Sequence, residues 1–106
     1  MYHVGDVILF KDRPYKLTGL NKNGGKMIDL YDFRETSIKN YELLTVKVLF
    51  KAKEVKDATV VSSSDKEIQV LHPTSYITKD VRIPEDAEIG ETVKVVEIEE
   101  VLLYVP

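Results

Sequence analysis

Cysteine is absent from these 106 residues. That removes disulfides, thiol nucleophiles and cysteine-ligated zinc together. A disulfide-free chain suits a reducing compartment, so the expected location is cytoplasmic. Histidine occurs twice, as His3 and His72. A metal site wants three or four converging ligands, and neither histidine has such company nearby in sequence. Nucleophilic machinery is missing too. Ser62-Ser63-Ser64 reads as a turn, and no Gly-x-Ser-x-Gly elbow occurs. No Gly-x-x-x-x-Gly-Lys loop is present to cradle nucleotide phosphates. The carboxylates Glu85, Asp86, Glu88 and Glu91 lack the Asp-x-Asp-x-Asp-Gly spacing of a calcium loop. The expectation is a protein that is not an enzyme and needs no cofactor.

Long apolar runs are missing as well. Val7-Ile8-Leu9-Phe10 is typical of those present, far short of the roughly 20 residues of a membrane helix. Met1 is followed at once by polar, strand-like sequence, and no signal peptide is expected. Arginine is scarce: Arg13, Arg34 and Arg82 are the whole supply. That argues against a dense surface reading phosphates two-pronged, which is arginine's geometry.

What remains is ample for a fold. Hydrophobic residues make up 43% and charged residues 31%, a folded rather than a disordered composition. The net charge of -3 is unevenly spread. Residues 1–53 carry ten Lys/Arg against six Asp/Glu, and residues 54–106 carry five against twelve. A basic front half and an acidic back half suggest surfaces for different partners.

The periodicity is two, not 3.6. Leu44, Val46, Val48 and Phe50 alternate with Thr45, Lys47, Leu49 and Lys51. The one window with helical character, Ser37–Leu44, allows a single turn. Turn residues divide the chain into predicted strands near Asp6–Phe10, Tyr15–Leu20, Lys26–Asp32 and Leu43–Ala52. Phe33-Arg34-Glu35-Thr36 is predicted to turn the chain back. After a charged stretch at Lys53–Asp57 come Ala58–Ser62, Glu67–Leu71, Tyr76–Ile83, Thr92–Ile98 and Val101–Tyr104. Pro84 ends its strand for want of an amide proton. Asn21-Lys22-Asn23-Gly24-Gly25 is the strongest hairpin signal. Near Val95-Val96 the apolar phase slips, which predicts a bulge. Short, regularly spaced strands in two sets predict an all-β chain: an SH3-like barrel over 1–53, then an OB-like barrel over 54–106.

The second half runs Lys66-Glu67-Ile68-Gln69-Val70-Leu71-His72-Pro73-Thr74-Ser75-Tyr76, then Val81-Arg82-Ile83-Pro84-Glu85, then Ile89-Gly90-Glu91-Thr92-Val93-Lys94-Val95-Val96. It ends at Leu103-Tyr104-Val105-Pro106. With Gly5-Asp6-Val7, the Gly24-Gly25 hairpin and Ile28-Asp29-Leu30 before it, this resembles the C-terminal half of the ribosomal large-subunit export adaptor family, the Nmd-three family, in its archaeal form. That region is itself similar to translation initiation factor five A and elongation factor P, which pair an SH3-like with an OB-like barrel. The resemblance covers essentially the whole chain and rests on turn residues and apolar phase. It implies binding to the large ribosomal subunit, through rRNA or ribosomal proteins, in subunit maturation or export. It implies no membrane and no small-molecule substrate. Family members carry cysteine-rich zinc modules ahead of this region, and this chain has no cysteine. In factor five A the corresponding hairpin carries a modified lysine flanked by glycine and histidine. Those flanks are absent around Lys22, which is expected to stay unmodified.

RNA contact is the leading expectation. A glycine-rich tip lets the backbone approach phosphate, so Lys22, Gly24, Gly25 and Lys26 are candidates. Lys47 and Lys51, with Lys53, share one face of a predicted strand. They could join Lys11, Arg13 and Lys16 in a basic patch. Tyr31, Phe33 and Tyr41 could stack bases, though such aromatics more often fill a small core, and the core is where they are expected. The alternative is a protein-interaction module that uses its acidic half or open strand edges.

Overall fold

A computed structural model describes residues 1–106. The chain is nearly all β, and its backbone divides into two compact units, Met1–Glu54 and Val55–Pro106. No helix is long and apolar enough to cross a membrane.

The first unit contains β1 (Val7–Phe10), β2 (Arg13–Asn21), β3 (Gly24–Asp29), β4 (Glu35–Lys39), the single-turn α1 (Asn40–Leu43), β5 (Lys47–Phe50) and a 3₁₀ turn at Ala52–Glu54. Its sheet order is β4-β3-β2-β1-β5. This is a meander whose last strand returns to the first, the arrangement of an SH3-like barrel. Ile8, Leu17, Met27, Ile38 and Leu43 form the core, with Tyr2, Phe10, Tyr15, Val46 and Val48 packed at its rim. Burying each such aliphatic side chain is worth roughly 1.5–3 kcal/mol.

The second unit contains β6 (Lys56–Ser64), β7 (Glu67–Leu71), β8 (Thr78–Arg82), β9 (Thr92–Ile98) and β10 (Val101–Tyr104). Its order is β10-β9-β6-β7-β8, and the sheet curls until β8 approaches β10. That near-closure and strand order make an OB-like barrel. Val60, Ile68, Val70, Val81, Val95 and Leu102 fill it. His72 organises the turn after β7. Its Nδ1 accepts the amides of Thr74 and Ser75, each at 3.2 Å, and its Nε2 lies 2.9 Å from Glu97.

Several elements differ from the sequence expectation. The long strand over Leu43–Ala52 is broken. Leu43 closes α1, Leu44 is exposed, and β5 starts only at Lys47. Glu42 causes the break: its carboxylate accepts the Lys39 amide, and its carbonyl accepts the Thr45 amide and hydroxyl. The turn expected at Phe33–Thr36 ends early, because Glu35 already pairs with Ile28 in β4. That strand escapes the periodicity because Ile38 is its one buried residue. No bulge occurs at Val95-Val96, where the pairings to β6 and β10 run without a shift. Both valines are buried, so β9 is covered on both faces there, and this produces the slipped phase. The bulges lie instead at Thr18, Val61 and between Val7 and Ile8.

Two hairpins share an unusual turn. Lys11-Asp12 connects Phe10 to Arg13, and Glu99-Glu100 connects Ile98 to Val101. All four turn residues have positive φ, from 50° to 67°, the backbone that Asn-Gly adopts most readily. The double change Glu99→Asn, Glu100→Gly is expected to stabilise the second unit by about 1 kcal/mol, through relieved backbone strain and two fewer adjacent carboxylates. A thermal melt followed by circular dichroism checks this, and an unchanged or lowered midpoint would refute it.

Candidate nucleic-acid interface

The residues singled out by sequence for RNA contact fall mainly into three groups in the fold. The first is committed to ion pairs. Arg13 Nε lies 2.5 Å from Oδ2 of buried Asp29, and Arg13 Nη2 lies 3.5 Å from Asp32. The Tyr31 ring stacks 5.2 Å from the guanidinium carbon. The hydrogen bond to Asp29, aided by the nearby charge of Asp32, raises the Arg13 pKa further. Lys51 Nζ donates to the Met1 carbonyl at 3.0 Å and to Oδ2 of buried Asp6 at 3.4 Å. These two cations build the fold, and most of their charge is answered locally.

The second group is the pair of glycines. The hairpin turn is Lys22-Asn23, and Gly24 and Gly25 are already the first residues of β3. Both are buried. A Cβ at Gly24 would meet the Ile38 carbonyl, and one at Gly25 the Gly19 carbonyl. Their lack of a side chain lets neighbouring strands close up, and their backbone is not open to phosphate. The true tip is held by side chains. Asn21 Oδ1 accepts the Asn23 amide, and Asn40 Nδ2 donates to the Lys22 carbonyl.

The third group lies on the outer face of the sheet, where Lys26 and Lys39 are exposed and Lys16 is half-buried. Residues directly opposite across a ladder share a face. Lys16 pairs with Ile28, Lys26 with Ser37, and Lys39 with Gly24. Lys16 and Lys26 each precede a core residue, Leu17 and Met27, and Lys39 follows one, Ile38. All three therefore project from the face opposite the core. They step diagonally across β2, β3 and β4, two residues along at each strand, a spacing of about 7–8 Å. Lys22 extends the row at the exposed tip. Beside Lys26, Thr18, Glu35, Thr36 and Ser37 line an open groove of about 200 Å³.

Lys47 pairs with Leu9 on the same face, but β1 and β2 stand between its strand and that of Lys26. Lys11 sits on the β1–β2 turn, its ammonium 5.1 Å from the Phe10 ring. Neither belongs to the diagonal. The residue that sequence reasoning missed is Lys39. Its only signal is the β3–β4 register, which brings it beside Lys26 across 13 positions of chain. The expected core aromatics also divide. Phe33 is half-buried, whereas Tyr31 is 42% and Tyr41 66% exposed. Tyr31 is used on Arg13, and Tyr41 lies 6.0 Å from the Lys39 ammonium.

No family model matches the chain, and no curated protein does. Among solved structures it is similar to eukaryotic translation initiation factor 5A from Methanococcus jannaschii, with a TM-score of 0.55 at 16% identity, over 98% of this chain and 86% of that one. At this identity the likeness is one of fold. It matches the SH3-like plus OB-like pairing that the sequence motifs implied.

Proposed function

We propose that this chain is a non-catalytic, ribosome-associated binding module that meets RNA phosphate through the sheet face that exposes Lys26 and Lys39, with Lys22 at its tip. Lys26 and Lys39, exposed as diagonal neighbours on one sheet face, carry the reading. They lie in the half of the chain that holds the cationic excess. Lysine ammoniums are point charges suited to phosphate contact without base reading. The shared fold of a translation initiation factor supports the ribosome as the setting. The large subunit, in its maturation or export, is the partner that the sequence resemblance favours.

Co-sedimentation with purified large subunits across a salt series tests this. A surface making about three phosphate contacts gives a log–log salt slope of about −2 to −3. The double variant Lys26→Glu, Lys39→Glu is expected to weaken binding at least tenfold at low salt and to flatten the slope by about 2. Undiminished binding by that variant would overturn the reading.

A second reading has its own support. The second unit carries the acidic excess, and Glu85, Asp86, Glu88 and Glu91 are all exposed on one loop. That surface suits a basic protein partner. Binding that survives nuclease and the Lys26/Lys39 reversal would favour it.

A further inference from the structure

Tyr41 and Leu44 stand at positions i and i+3 around α1, so they share one side of the turn. They are 66% and 84% exposed. α1 follows directly on Lys39, the end of the cationic diagonal, and the Lys39 ammonium sits 6.0 Å from the centre of the Tyr41 ring. The segment is rigidly placed. Leu43 is buried in the core, the Leu43 carbonyl accepts the Tyr2 hydroxyl at 2.8 Å, and the Asn40 amide donates to the Asn23 carbonyl at 3.2 Å. An exposed aromatic face is thus held in fixed relation to a row of ammoniums.

We infer that this site takes unpaired RNA, with one base stacked on Tyr41 and the adjoining phosphates on Lys39 and Lys26. The inference rests on the RNA reading above and names its substrate class. A double helix buries its base faces in its own stack and offers only phosphates and groove edges to a sheet surface. A single strand offers both a π-face and a charged backbone, the two chemistries present here. The groove beside Lys26, lined also by Thr18, Glu35, Thr36 and Ser37, begins two residues before Lys39 on β4 and suits the hydroxyls of a sugar. The platform and the groove sit at opposite ends of the Ser37–Tyr41 segment. The ligand is therefore a stretch of several nucleotides rather than a mononucleotide.

Fluorescence anisotropy with the intact 106-residue chain tests this. The probes are a labelled unstructured RNA oligonucleotide and a blunt RNA duplex of the same length. The variants are Tyr41→Ala, Tyr41→Phe and the Lys26→Glu, Lys39→Glu pair, each checked for its fold by circular dichroism. The single strand is expected to bind about tenfold tighter than the duplex. Tyr41→Ala is expected to remove about that factor on the single strand alone, and Tyr41→Phe to keep it. Equal affinity for strand and duplex, or a Tyr41→Ala variant as tight as the parent, overturns the inference. If the lysine pair still matters in that case, the phosphate face survives and only the stacking falls. If reversing the lysines changes nothing, the RNA reading itself fails.

Discussion

Replacing Asp6 with alanine is expected to cost the first unit about 3 kcal/mol, because two backbone amides and an ammonium lose one buried acceptor together. Asp6 is 1% exposed. Its carboxylate accepts the His3 amide at 3.0 Å and the Ala52 amide at 3.1 Å, and Lys51 Nζ stands 3.4 Å away. It ties the segment before β1 to the 3₁₀ turn after β5, 46 positions later. Burial by itself pushes the Asp6 carboxyl up. The amides of His3 and Ala52 and the charge of Lys51 outweigh it and hold the carboxyl below its ordinary value. The sign of the pH dependence follows. A lowered folded pKa means that the stabilisation is fully present above the unfolded carboxyl's pKa, near 3.9, and fades as the pH falls through the lower folded value. Urea denaturation at pH 7 reads the loss. An Asp6→Ala variant within about 0.5 kcal/mol of the parent would contradict this account. Repeating the comparison with Asp6→Asn down to pH 2 is expected to show the two proteins converging in acid.

Gly24→Ala is expected to be at least as damaging, at roughly 3 kcal/mol or more. Two independent obstacles meet there. The backbone has φ of +144°, where a side chain is strained, and the added Cβ would lie 2.0 Å from the Ile38 carbonyl oxygen and 2.9 Å from the Lys39 Cα. Relief requires β3 and β4 to part where Gly24 faces Lys39. That movement also displaces Lys39 and the Asn40 anchor, so the proposed RNA binding should fall with stability. Gly90→Ala is the internal control. Gly90 has φ of +92° but nothing within 4 Å of its missing Cβ, so only the backbone strain of about 1–2 kcal/mol remains. Equal stability losses at the two glycines would show that the contact with Ile38 is not what matters at Gly24. Chemical denaturation of both variants, read side by side, separates the cases.

Much of the strand pattern is legible without the structure, and the exceptions have identifiable causes. β7, β9 and β10 match their predicted limits, because turn residues bound them: Asp65-Lys66 and His72-Pro73 around β7, Gly90 before β9, and Glu99-Glu100 between β9 and β10. β4 was hidden because an edge strand with one buried residue has no alternation to read. The break before β5 was hidden because Glu42 turns the chain through local hydrogen bonds that periodicity does not encode. The slipped phase of Val95 and Val96 was real, but two-sided burial of a regular strand produces the same string as a bulge.

The cationic site divides along the same line. Residue types and their order determine that the front half is basic, that its arginines are few, and that a hairpin separates Lys22 from Lys26. Counting charges cannot show which of them are already answered. Arg13 is neutralised by a carboxylate 16 positions away and Lys51 by one 45 positions away. Strand pairing alone places Lys39 beside Lys26, and it buries the two glycines that looked open. Local preference sets where strands and turns begin. Register and long-range pairing set which side chains face each other, and a charged surface depends on the second.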